Sequence, residues 1–172
     1  MSPPELAGSR VIEIHVRQAT LRDLGAVMEL RLALLREHPT HPIYGRLRAD
    51  ASTRARELFA AQIRAEHEAI FLAERAGSVV GIMRCVDSMG SPLLEPARYA
   101  YVSSVYVREE HRRCGVLRTL LRAAERWSRA RGLDQMRLHN VAGSESAEGA
   151  WSALGFDVVE QVRVRRIPPT GG

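Results

Sequence analysis

The chain has 172 residues, 45% of them hydrophobic, which is enough for one domain with a real core and too little to expect a second. No run approaches the roughly eighteen apolar residues of a membrane helix. The start lacks a signal-peptide pattern, and Cys85 and Cys114 are too few for a disulfide framework or a cysteine-based zinc site, so a soluble cytoplasmic protein is expected. The net charge of +5 is carried by arginines dispersed from Arg10 to Arg166, a spread that argues against nucleic acid and membrane as partners.

Residues 1–9 and 168–172 are rich in Pro, Gly and Ser and are expected to be flexible tails around a single domain, residues 10–167. Alternating polarity predicts a strand over 11–17. Thr20 followed by Asp23 is an N-cap signal for a helix over 21–36, with Leu24, Val27, Met28, Leu34 and Leu35 on its apolar side. The prolines around His38 and His41 end that helix, and a second is predicted over 52–66. Two strands, 69–74 and 79–85, flank the turn Ala76-Gly77-Ser78. After a Pro- and Gly-bearing loop, a strand over 99–107 leads to a helix over 116–131. Leu117, Leu120, Leu121, Ala124 and Trp127 give that helix one buried face, and Gly132 closes it. A strand over 134–139, a short helix over 145–154 and an alternating strand over 156–165 complete the series. Interleaved strands and helices predict a mixed α/β sheet covered by helices.

The richest segment is 102–121, VSSVYVREEHRRCGVLRTLL: an apolar strand, a charged turn, an arginine-bearing loop with Gly115, and a helix start. The first N–H groups of a helix lack intrahelical partners, and the dipole adds about half a positive charge there, so a phosphate or pyrophosphate fits. Gly115 allows close approach of backbone to ligand. A nucleoside-triphosphate loop is excluded, because it needs a lysine and all 25 basic residues are arginine. A dinucleotide fingerprint needs three glycines, and Gly115 stands alone.

What remains is R-x-x-G-x-[GA] after V-x-V, here Val105-Tyr106-Val107 and Arg112-Arg113-Cys114-Gly115-Val116-Leu117, with leucine in place of the last small residue. This resembles the coenzyme A loop of the GNAT superfamily of N-acyltransferases. A downstream segment strengthens the resemblance. The pattern N-x-x-A-x-x-[hydrophobic]-Y-x-x-x-G-F corresponds to Ser144, Ala147, Trp151, Gly155 and Phe156, with Ala, Gly and Phe in register and Tyr replaced by Trp151. The resemblance runs from about Glu13 to Arg166. It implies an α/β (mixed α+β) fold with a central mixed, largely antiparallel twisted sheet flanked by helices. It also implies acetyl-CoA as co-substrate with no metal, and transfer to a small-molecule or peptide primary amine by direct attack in a ternary complex. Many relatives are dimers, so the resemblance allows a homodimer.

Carried over residue by residue, the resemblance puts pantetheine on Val105 and Val107 beside Tyr106. It puts the pyrophosphate on the loop Arg112, Arg113, Cys114, Gly115, Val116, Leu117 and Arg118, held mainly by backbone N–H groups. Leu117 is tolerable if its side chain turns into the sheet. Catalysis then needs a base for the amine, a donor for the oxyanion, for which an N–H of strand 99–107 is the natural candidate, and release of a thiolate. Family enzymes often protonate that thiolate with the tyrosine whose position is Trp151 here, and indole is no acid. Tyr101 and Tyr106 have suitable chemistry. Strand 99–107 carries no carboxylate, which leaves Glu95, Glu109, Glu110 and His139 as nearby bases. An imidazole has the intrinsic pKa a base needs, though a histidine at 139 could also simply finish a strand. Cys85 reads as core, Cys114 as a loop side chain, and 38–48, with Tyr44, as an acceptor-facing segment. The missing carboxylate and Trp151 leave an alternative open, a non-catalytic acyl-CoA-binding domain on the same fold.

Overall fold

The run Ala69-Ile70-Phe71-Leu72-Ala73 is apolar without alternation, as a strand is when both its faces are covered. In the computed structural model, which describes residues 13–168, this run lies in the second strand of a five-stranded sheet. The tails 1–9 and 169–172 and the first residues of the predicted opening strand lie outside the described residues. In chain order the elements are β1 (Ile14–Gln18), α1 (Leu24–Arg36), α2 (Ala51–Arg64), β2 (Glu68–Arg75) and β3 (Ser78–Met89), then β4 (Arg98–Val107), α3 (Val116–Arg129), β5 (Met136–Leu138) and α4 (Glu145–Ala153). The strand order follows the numbering. Neighbours are antiparallel up to β4, while β4 and β5 are parallel. A parallel pair needs a crossover, and α3 supplies it.

One face of the sheet packs Phe71, Val80, Met83, Cys85, Ala100 and Val102 against the stripe Val116, Leu120, Leu121, Ala124 and Trp127 of α3. The other packs Ile70, Leu72 and Ile82 against Val27 and Leu30 of α1 and Phe59 of α2. The Thr20 signal is realised as a one-turn 3-10 helix, Leu21–Asp23, leading into α1. The Asp23 carboxylate accepts from the Thr20 N–H at 2.8 Å and from Arg17 at 2.8 and 2.9 Å, which ties the start of α1 to β1.

Gly81 decides how closely α3 approaches. A Cβ built there would lie 2.9 Å from Val116 Cγ1 and 3.2 Å from Leu120 Cδ1. Val116 is the first residue of α3 and is buried, so this contact fixes where the helix begins relative to the sheet. Gly81→Val is expected to destabilise the fold by about 1–3 kcal/mol through overpacking, read as a lower denaturant midpoint with the same m value.

Two expectations need correction. The predicted strand 134–139 is only Met136–Leu138, and 156–165 is not a strand at all. Its alternation is real, but Val158, Val159, Val162 and Val164 are each more than half exposed and the described sheet ends at β5. Propensity for extended structure yields a strand only when an edge pairs with it. Of this segment Phe156 alone is anchored, edge-on to Trp151 at 5.4 Å between ring centroids.

Candidate active site

β4 is irregular at its centre. Ile82 of β3 faces Tyr106 and Arg84 faces Ser103, so Met83 alone opposes both Ser104 and Val105. This two-against-one count is a β-bulge, and Ser104 sits within it at φ +52°. On its other side β4 pairs with β5 only at Ala100, Tyr101 and Val102. From Ser103 to Val107 that edge is unpaired, and the strands part around a cleft of about 1250 Å³. Ser103, Ser104, Val105, Tyr106 and Val107 all line it. An unpaired edge offers backbone donors and acceptors to an extended ligand, as a neighbouring strand would.

The same edge runs into the predicted anion loop. Gly115 is the N-cap of α3 at φ +86°, a backbone conformation that costs L-residues about 1–2 kcal/mol. No side chain caps the helix, which leaves its first N–H groups open toward the cleft. Arg113 and Arg118 line the cleft and have no carboxylate partner among the described residues. Arg112 is committed differently. Its Nε donates to the Val107 carbonyl at 2.9 Å and its Nη2 bonds Glu37 at the end of α1, so it clamps the loop to its surroundings. Leu117 packs partly into the core while bordering the cleft, in keeping with the apolar stripe of α3. Cys114 is exposed and Cys85 fully buried, where desolvation pushes its thiol up to about 11.

At the far end of the cleft Tyr101 and His139 meet. The Tyr101 Oη lies 3.2 Å from His139 Nδ1, with the rings edge to face. Burial, then the neighbouring Tyr44 and Tyr99, raise the Tyr101 phenol above its ordinary value. A phenol held protonated donates to Nδ1, which puts the imidazole proton of a neutral His139 on Nε2. His38 and Tyr44 also border the cleft, on a loop folded by N–H bonds from Ile43 and Tyr44 to His41 Nδ1, both 3.2 Å. Glu109 borders it too, whereas Glu95 and Glu110 do not. Trp151 forms part of the wall next to Ala147 and Leu154. Among the described residues no cluster of His, Cys, Asp and Glu could hold a metal ion, and no helix is long and apolar enough to cross a membrane.

Three features escaped the sequence reading: the bulge at Ser104, the clamp Glu37–Arg112, and Arg84 with Ser103 on the cleft floor. Only Arg84 left a signal, as a lone charge in the apolar strand Val80–Val86.

A bulged strand thus splays from its parallel neighbour and feeds an uncapped, arginine-flanked helix. Residues 30–156, more than half of the chain, match the profile of the Acetyltransferase (GNAT) family, and the chain belongs to that family. Solved structures agree in fold. A GCN5-related N-acetyltransferase from Ralstonia eutropha is similar at TM-score 0.72 and 18% identity, over 90% of this chain and 99% of that one. A predicted acetyltransferase from Clostridium acetobutylicum, with acetyl-CoA, is similar at TM-score 0.72 and 15% identity, over 89% and 96%. An aminoglycoside N-acetyltransferase in complex with CoA is similar at TM-score 0.73 and 23% identity, over 92% and 97%. No curated protein sequence matches the chain.

Proposed function

We propose that this protein is an N-acetyltransferase that moves the acetyl group of acetyl-CoA to a primary amine by direct attack in a ternary complex. The observation that carries this reading is the continuity of the unpaired β4 edge, Ser103–Val107, with the open N-terminus of α3. The pantetheine arm pairs along Val105 and Val107. The pyrophosphate takes the N–H groups following Gly115, with Arg113 and Arg118 balancing its charge. The thioester then lies near the bulge, where backbone N–H groups freed from the ladder can face the oxyanion.

Tyr101 and His139 form the proton path. The amine lone pair attacks the thioester carbonyl carbon and the carbonyl oxygen becomes the oxyanion. The nitrogen passes its proton to Tyr101 Oη as the phenol proton moves to His139 Nδ1. The oxyanion collapses, the C–S bond breaks, and coenzyme A leaves as a thiolate. A thiol pKa near 8.5 makes that departure feasible without an acid at Trp151.

The test is release of free thiol from acetyl-CoA across a broad panel of primary amines. Release with matching formation of amide supports the reading. Saturable acetyl-CoA binding without release from any amine would reduce the protein to a binding domain. A narrower prediction concerns the loop: maleimide alkylation of the exposed Cys114 should slow when coenzyme A is saturating. Equal rates would mean that coenzyme A does not occupy this loop.

A further inference from the structure

The acceptor end of the cleft contains a charge arrangement that the acetyl-transfer chemistry does not use. Glu68 of β2 is almost completely buried, at 5% exposure, and is bonded to Arg84 Nε of β3. Arg31 of α1 lies over the ring of Phe59 at 3.8 Å, bonded to Gln62, close enough for the charges of Arg84 and Glu68 to act on it. Burial, and then repulsion from Arg84, pulls Arg31 down to about 10, with Glu68 opposing the shift. Arg31 is therefore still a cation at neutral pH. Two guanidiniums and one carboxylate leave one positive charge unbalanced. His67 Nε2, 3.9 Å from the other Glu68 oxygen, can only add to it.

Of this cluster, Arg84 reaches the cleft. Its Nη1 donates to Ser103 Oγ at 3.2 Å, and its Nη2 has no bonding partner among the described residues. Ser103, as the acceptor of that bond, keeps its own hydroxyl proton to donate. Its Oγ and the Tyr101 ring belong to residues two apart on β4, ahead of the bulge, and so share a face of the sheet. The carboxylates that border the cleft are Glu37, already bonded to Arg112, and the exposed Glu109 beside the anion loop. A polycationic acceptor would meet Arg84 with no free carboxylate near Tyr101.

Resting on the acetyl-transfer reading above, we infer that the acceptor is an amine that also carries a carboxylate, bound by Arg84 Nη2 and the Ser103 hydroxyl with its amino group toward Tyr101 and His139. Two donors match the two oxygens of a carboxylate, and one unbalanced positive charge matches its single negative one.

The test compares matched acceptors: a set of amino acids, their carboxamides and the corresponding decarboxylated amines, assayed by thiol release from acetyl-CoA. The carboxylate-bearing members should exceed their carboxamides at least about tenfold in kcat/KM, the worth of a charge-assisted bond to a partly buried guanidinium edge. Ser103→Ala, which leaves the Arg84–Glu68 pair in place, should shrink that ratio several-fold, mainly through KM of the carboxylate members. Arg84→Gln should shrink it further, with its melting temperature measured because Glu68 loses its partner. Equal or reversed preference overturns the inference while acetyl-CoA turnover leaves the acetyltransferase reading standing. Release from none of the carboxylate-bearing acceptors also overturns it. Failure to bind acetyl-CoA, followed by isothermal calorimetry, overturns both.

Discussion

Replacing His139 by alanine is expected to lower kcat/KM for amine acetylation by about 10²–10⁴-fold, the usual worth of a positioned general base. Acetyl-CoA binding should persist, because the contacts proposed for it, at Val105, Val107 and the start of α3, do not use the imidazole. Tyr101→Phe should produce a loss of similar size, since its hydroxyl lies 3.2 Å from Nδ1 and carries the amine proton to it on the proposed path. The double variant should be little worse than either single one, because the two groups act as one path. The pH profile carries the sign. The proposed path needs a free Nδ1 on His139 to receive the phenol proton. It requires protonated Tyr101, whose phenol is raised by burial and by Tyr44 and Tyr99, so the high-pH fall lies above the ordinary phenol value of about 10. Full activity in both single variants would remove the proton path altogether.

Gly115→Asp is expected to weaken coenzyme A binding about 10²-fold while costing about 1 kcal/mol or less of stability. Aspartate tolerates positive φ better than most residues, so the backbone at φ +86° can be kept. Its carboxylate would accept the open N–H groups of α3 as an N-cap, which stabilises the helix by about 1 kcal/mol. Those same N–H groups would then be unavailable to a pyrophosphate, and a negative charge would stand beside it. Losing one or two charge-assisted bonds is worth about 3 kcal/mol, or roughly two powers of ten in Kd. Calorimetric titration with coenzyme A and a thermal melt of the same sample check both halves. Unchanged affinity in the folded variant would show that the pyrophosphate binds elsewhere.

The two predictions rest on parts of the site that were unequally visible in the sequence. The loop was readable because its constraints are local. Gly115 supplies a positive φ, the following stripe Leu117, Leu120, Leu121 defines a helix, and any strand–loop–helix of this kind leaves free N–H groups at its start. Nothing local, however, distinguishes Arg112 from Arg113. Arg112 is spent on Val107 and Glu37, and the latter is 75 positions away in the chain. Chemistry makes Tyr101 a candidate, and chemistry with its place at a strand end makes His139 one. Their separation of 38 positions gave no hint that they touch.

The C-terminal segment shows the opposite failure. Valines 158, 162 and 164 alternate as a strand would, yet the described sheet provides no partner and they remain exposed. Sequence by itself determined the order of elements through 153 and the strand–loop–helix turn at Gly115, because periodicity, capping and glycine conformation act over a few residues. Tertiary structure alone decided the bulge at Ser104, the parting of β4 from β5, the Tyr101–His139 contact and the Arg31–Glu68–Arg84 cluster. Each of these depends on register and packing between segments far apart in the chain. That pairing energy is collective and leaves no mark on any one stretch of residues.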